Sequence, residues 1–254
     1  VKTLAIYYIA TSVYKELFPE FLENVPKLFP SFHKKVVVIS DGLQEYDGLT
    51  GPSYKVQVFS DIEHRPWPYI ALHKMDIIKD HRVECDYACY MNANLILNPE
   101  FNKDIDHLFL YNRMNFTRHC YLLKEDVRDG QYFQGKVNRV SKDDLQLVSS
   151  DIRSSSYIAD DYQYCQSGFF LGPEKLFFKF CEDISELRKI DEARNIVPTW
   201  HDEAYLNAWI YRYHHLNLTK LPIKRLMIIS AVVGKYDFSN IPFIIKRDVK
   251  KVRD

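Results

Sequence analysis

Three apolar runs constrain this chain more than any other feature: Thr3 to Thr11 (TLAIYYIAT), Lys35 to Ser40 (KVVVIS) and Asp86 to Met91 (DYACYM). Each is nearly apolar throughout instead of alternating, the pattern of a strand buried on both faces. Helical spacing lies between them. Glu16 to Phe29 carries Leu17, Phe21, Val25, Leu28 and Phe29, with Pro19 in its first turn. Tyr69 to Asp80 carries Ile70, Leu72 and Ile77. Strand, helix, strand at this spacing predicts βαβ units with right-handed crossovers. Shorter strands are predicted at Tyr54 to Phe59, Met114 to Leu122, Gln166 to Leu171 and in the C-terminal FII run, and Leu95 to Leu97 is a further apolar run. Helices are predicted at Asp104 to Leu110, at Glu174 to Ile190 and from the Trp200 stretch onward. The expected fold is α/β, a mixed sheet flanked by helices.

The chain has 254 residues, 46% hydrophobic and 27% charged. That is enough to bury a core, and one domain over residues 1–254 is the expectation. Net charge is zero, which argues against a protein held to nucleic acid by phosphate contacts. The five cysteines (Cys85, Cys89, Cys120, Cys165, Cys181) show no zinc-site spacing and read as reduced thiols. No apolar run approaches the roughly 20 residues that span a bilayer. Val1 to Ala10 reads as a strand, not a signal peptide. A cytoplasmic location follows as an expectation, with at most peripheral contact to an inner membrane through the basic C-terminus.

The stretch Pro198-Thr199-Trp200-His201-Asp202-Glu203 reads as a helix start, with Thr199 as the N-cap and two acids in the first turn. Projected on Leu206 and Ile210, both acids stand at the top of the buried face. Two carboxylates, a histidine and a tryptophan there suit work on a sugar. The strand from Asp86 ends in Asn92-Ala93-Asn94, and an open α/β sheet presents ligand-binding groups at such carboxyl ends. Gly168 lies inside a strand, a sign of close approach or a bulge. Lys124 to Tyr164 is polar and aperiodic, a long loop of the functional or mobile kind.

Five patches in order resemble glycosyltransferase family six, the family of the histo-blood-group A and B transferases and the α1,3-galactosyltransferase. They are Tyr8-Ile9-Ala10-Thr11 through Tyr14, Trp67 through Ile78, Asp86 through Leu97, Ser154 through Gly172, and Trp200-His201-Asp202-Glu203 through Asn207. The resemblance implies a GT-A fold and retaining transfer of galactose or N-acetylgalactosamine from a UDP-sugar to the 3-OH of a β-galactoside. It implies that Ile9, Ala10, Thr11 and Tyr14 line the uridine, and that Trp67 and Lys74 face the nucleotide, with Lys74 where the family has arginine. Asn92 and Asn94 fall on the family's Asp-x-Asp metal motif. Bacterial members with Asn-x-Asn work without metal, so no divalent ion or other cofactor is expected here. Gln166 and Gly168 fall where the family selects its donor sugar, and Asp202 would hold donor hydroxyls. His119, Trp200 and His201 would hold the acceptor.

Glu203 would face the anomeric carbon, as nucleophile or as electrostatic support. The diphosphate would be neutralised by a mobile tail carrying Lys246, Arg247, Lys250, Lys251 and Arg253. The family's Glu-Arg-Arg stretch has no counterpart, and Gln166-Ser167 replaces its usual small or apolar pair. A catalytically silent sugar-nucleotide or glycan-binding protein of the same fold is the alternative. A hydrolase is disfavoured because adjacent Asp202 and Glu203 diverge by about 100° on a helix.

Overall fold

In the computed structural model the described residues are 1–66, 68–98, 106, 113–118, 151–159, 165–215, 223–227 and 243–245. The centre is β1 (Thr3–Ala10), with seven of its eight residues buried. It pairs in parallel with β2 (His33–Ser40) on one side and β5 (Tyr87–Asn92) on the other. Beyond β2 come β4 (Tyr54–Phe59), parallel, and the two-residue β3 (Thr50–Gly51), antiparallel. Beyond β5 come β8 (Cys165–Pro173) and β7 (Met114–Arg118), each antiparallel to its predecessor, then β9 (Ile223–Met227), parallel to β7. The result is one mixed eight-stranded sheet, ordered β3-β4-β2-β1-β5-β8-β7-β9. A second, two-stranded sheet joins β6 (Leu95–Leu97) to β10 (Phe243–Ile245).

Successive side chains of a strand point to opposite faces, so an apolar run fills two cores at once. Leu4, Ile6, Tyr8 and Ala10 join one cluster with Phe18 and Phe21 of α1 (Phe18–Asn24). Ala5, Tyr7 and Ile9 join the other. There they meet Met75 and Ile78 of α2 (Tyr69–Asp80), Phe177 and Ile184 of α3 (Glu174–Glu192), and Leu206 and Trp209 of α4 (His201–His215). This is the α/β fold expected, and its helix-covered mixed sheet is consistent with a GT-A type.

Two local expectations are corrected. The helix read over Glu16 to Phe29 is a 3₁₀ turn at Ser12–Leu17, then α1, then a second 3₁₀ turn at Val25–Lys27. Pro26 has no N–H to continue the α-helical ladder. The last helix opens at His201, so Trp200, not Thr199, stands before it, and Asp202 is engaged by a lysine instead of a capping box.

The helix read at Asp104 to Leu110 lies outside the described residues apart from Asp106, as does most of the stretch from Lys124. Its end, 151–159, is hydrogen-bonded onto α3. The buried Asp191 carboxylate accepts from Ser154 Oγ at 2.6 Å and from the Ser155 amide at 2.5 Å, and Ser155 Oγ donates to the Leu187 carbonyl at 2.7 Å. Cys85, Cys89, Cys165 and Cys181 are thiols. Among the described residues no helix is long and apolar enough to cross a membrane.

Candidate active site

A lysine on α2 joins three segments. Lys74 is 5% exposed. Its ammonium donates to Asp202 Oδ2 at 2.5 Å, Ser167 Oγ at 3.0 Å and the Ser167 carbonyl at 3.2 Å, and it stands 4.7 Å over the Tyr90 ring. An ammonium has three protons, and all three are used inside the protein. Burial pulls the lysine down, but the Asp202 carboxylate, with Tyr90 and Glu203, outweighs it and holds the ammonium above its ordinary value. The position that the resemblance aligns with a nucleotide contact thus ties α2 to β8 and α4.

Beside Lys74, β8 bulges. Between the pairs Phe116–Phe170 and Thr117–Gln166, β7 advances one residue and β8 four, so Ser167, Gly168 and Phe169 leave the β7 ladder. Thr117 Oγ1 closes the bulge by donating to the Phe169 carbonyl at 3.1 Å. A bulge frees backbone groups and re-aims them. The freed Ser167 amide donates to Glu203 Oε1 at 3.1 Å, and its carbonyl takes the Lys74 proton.

Asn207, one turn along α4, fixes the same spacing. Its Oδ1 accepts from the Cys165 amide at 2.7 Å, and its Nδ2 donates to the Cys165 carbonyl at 2.8 Å and the Glu203 carbonyl at 2.7 Å. Glu203 therefore sits on β8, one residue from Gly168. Gly168 in turn precedes Phe169, the antiparallel partner of Met91, so it faces the Asn92 end of β5. His201 holds the helix start at φ 51°, a left-handed conformation costly for a side-chain-bearing residue and typical of functional sites. Burial lowers the His201 pKa, partly offset by Asp202.

At that strand end the polar groups are amides. Tyr90 donates its hydroxyl to Asn92 Oδ1 at 2.7 Å. Asn94 and Gln166 are each 5% exposed, and Asn94 Oδ1 and Gln166 Nε2 lack a hydrogen-bond partner among the described residues. One is an acceptor and the other a donor, both buried, and a native fold leaves few such atoms unmatched. Gly168 lies near Gln166. A methyl there would stand 3.7 Å from Gln166 Oε1, 3.8 Å from Leu95 Cδ1 and 3.9 Å from Asn92 Cβ, ordinary contacts all. The described neighbours do not require glycine.

The ends of β1 and β2 form a second polar edge. Ile9, Ala10 and Thr11 are buried there, and Tyr14 packs half-buried against the core. Ser12, at φ 53°, gives its amide to Asp41 at 3.2 Å, and Asp41 pairs with Lys15 at 3.1 Å. His64 Nδ1 lies 3.3 Å from Thr11 Oγ1. Trp200 is 46% exposed at the mouth of α4.

Trp67, His119, Lys246, Arg247 and Lys250 lie outside the described residues, with Lys251 and Arg253. The strand before the tail is described, however: Ile245 pairs with Leu95, the residue after Asn94. Sequence reasoning missed Tyr90, Asp41 and His64, and named Ser167 only as a departure from the family's pair. Only Tyr90 left a signal, two residues before Asn92 on one strand face.

No protein-family model matches the chain. The chain is similar to the O-antigen biosynthesis glycosyltransferase WbnI of Escherichia coli, 24% identical over 227 residues that cover 85% of each protein. With the mixed α/β sheet, that likeness supports a glycosyltransferase acting with a nucleotide-sugar donor and a glycan acceptor.

Proposed function

We propose that the chain is a retaining glycosyltransferase that moves galactose or N-acetylgalactosamine from a UDP-sugar to the 3-OH of a β-galactoside, without a divalent metal. The observation that carries this reading is the hold on Glu203: a bulged strand gives it a backbone N–H at 3.1 Å beside the Lys74–Asp202 pair. A carboxylate fixed before the substrate arrives can stabilise positive charge developing at C1 without reorganising. Overall, the C1–O bond to the β-phosphate breaks, UDP leaves with its electron pair, and a C1–O bond to the acceptor forms on the same face as the acceptor hydroxyl gives up its proton to the departing phosphate.

The unmatched atoms of Asn94 and Gln166 support recognition of a ligand rich in hydroxyl groups, each both donor and acceptor. Gly168, beside Gln166 and Asn92, stands where the donor sugar would lie in this reading. Asn92 and Asn94 offer neutral amides, whereas hard divalent cations favour anionic oxygens. The pairing of Ile245 with Leu95 supports delivery of the basic residues that follow it to the diphosphate.

Transfer from UDP-galactose, UDP-N-acetylgalactosamine, UDP-glucose and UDP-N-acetylglucosamine to a β-galactoside tests this, with EDTA present and the product linkage read by NMR. The expected product is α1,3-linked, formed from one of the first two donors at a rate that EDTA leaves unchanged. Stimulation by Mn²⁺ well beyond the EDTA control would remove the metal-free part. UDP binding without turnover on any galactoside would leave a sugar-nucleotide-binding protein.

A further inference from the structure

Tyr90 is 2% exposed. Its ring stacks 5.3 Å from that of Phe170 and lies under the Lys74 ammonium at 4.7 Å. Its hydroxyl reaches Asn92 Oδ1 at 2.7 Å, a contact that follows from register because residues i and i+2 of a strand share a face. Burial, partly offset by Lys74, pushes the phenol up to about 12, so it keeps its proton at neutral pH. A buried O–H without an acceptor is costly. Of the two ends of an amide only the carbonyl accepts, so the contact selects one of two Asn92 orientations. In that orientation Nδ2 and its two protons point away from Tyr90. Phosphate oxygens, which only accept, match those protons; the flipped amide would meet them with a carbonyl.

We propose that Tyr90 is a positioning residue that locks the Asn92 amide with its NH₂ group toward the diphosphate of the donor. A neutral side chain then offers hydrogen-bond donors to an anion. The inference rests on the sugar-nucleotide reading above.

Calorimetry with UDP and with uridine, in EDTA, tests it on the wild type, Tyr90→Phe, Asn92→Ala and the double variant. Tyr90→Phe keeps the ring under Lys74 and removes only the hydroxyl. It is expected to weaken UDP about five- to tenfold, the effect of one hydrogen bond, and to leave uridine within about twofold. The double variant is expected to bind UDP no more weakly than Asn92→Ala, because Tyr90 acts through Asn92. Asn92→Asp keeps the acceptor for Tyr90 and exchanges NH₂ for oxygen. It is expected to weaken UDP at least as much as Asn92→Ala.

Unchanged UDP affinity in Tyr90→Phe, additive losses, equal losses for uridine, or wild-type affinity in Asn92→Asp would each overturn the proposal while the sugar-nucleotide reading stands. A wild type that does not bind UDP would overturn both.

Discussion

Lys74 and Asp202 form a buried pair, their side chains 6% and 7% exposed. Breaking such a pair from one side leaves a buried charge alone and costs about 3–5 kcal/mol. Lys74→Met is therefore expected to lose about that much in denaturant unfolding. Lys74→Met combined with Asp202→Leu should regain most of the loss, since two apolar groups replace two charges, but should not regain transfer. A double variant as unstable as the single one would count against this account of the pair.

Two histidines give the pH dependence. His73 and His201 are both held below their ordinary value, chiefly by burial. The unfolded chain then binds more protons than the folded one between the unfolded value of about 6.5 and the lower folded values. Stability is full above that window and falls as pH drops through it. His73→Gln, outside the candidate site, should flatten part of that fall in unfolding measured from pH 7.5 to 5.

At the scale of elements, the bulge in β8 aims the site. Gly168→Ala places a methyl in ordinary contact with its neighbours, so stability is expected to change by less than about 1 kcal/mol. In the proposed function the added methyl stands beside the donor sugar. Transfer from the bulkier N-acetylgalactosamine donor should fall relative to galactose, and an unchanged ratio would detach Gly168 from donor choice.

Elements whose signal is local were legible in the residues. The spacing over Tyr69–Asp80 and the short run Tyr54–Phe59 match α2 and β4 to the residue. Two strands were not legible: β3 has only two residues, and β9 (IKRLM) mixes charged with apolar positions. A bulge is a property of pairing, so Gly168 hinted at one while the freed Ser167 amide stayed invisible. Lys74 and Asp202 lie 128 residues apart, and no spacing rule joins them. Tyr90 reads as one more core aromatic until its hydroxyl is seen beside Asn92.

Across the whole molecule, the small β6–β10 sheet sets Ile245 beside Leu95, the residue after Asn94. Cleavage by a trypsin-like protease at the lysines and arginines that follow Ile245 should slow when UDP is added, and mass spectrometry of the fragments reads this out. Equal rates with and without UDP would remove the tail from the site.

The central claim is that Glu203, held by the Ser167 amide, supports the charge that develops at C1. Glu203→Gln keeps an oxygen for that amide and removes the negative charge. Its transfer rate at saturating donor, measured beside its UDP affinity, is the most direct test. The account predicts a rate lower by about 10²- to 10³-fold with UDP affinity unchanged; transfer near the wild-type rate would contradict it.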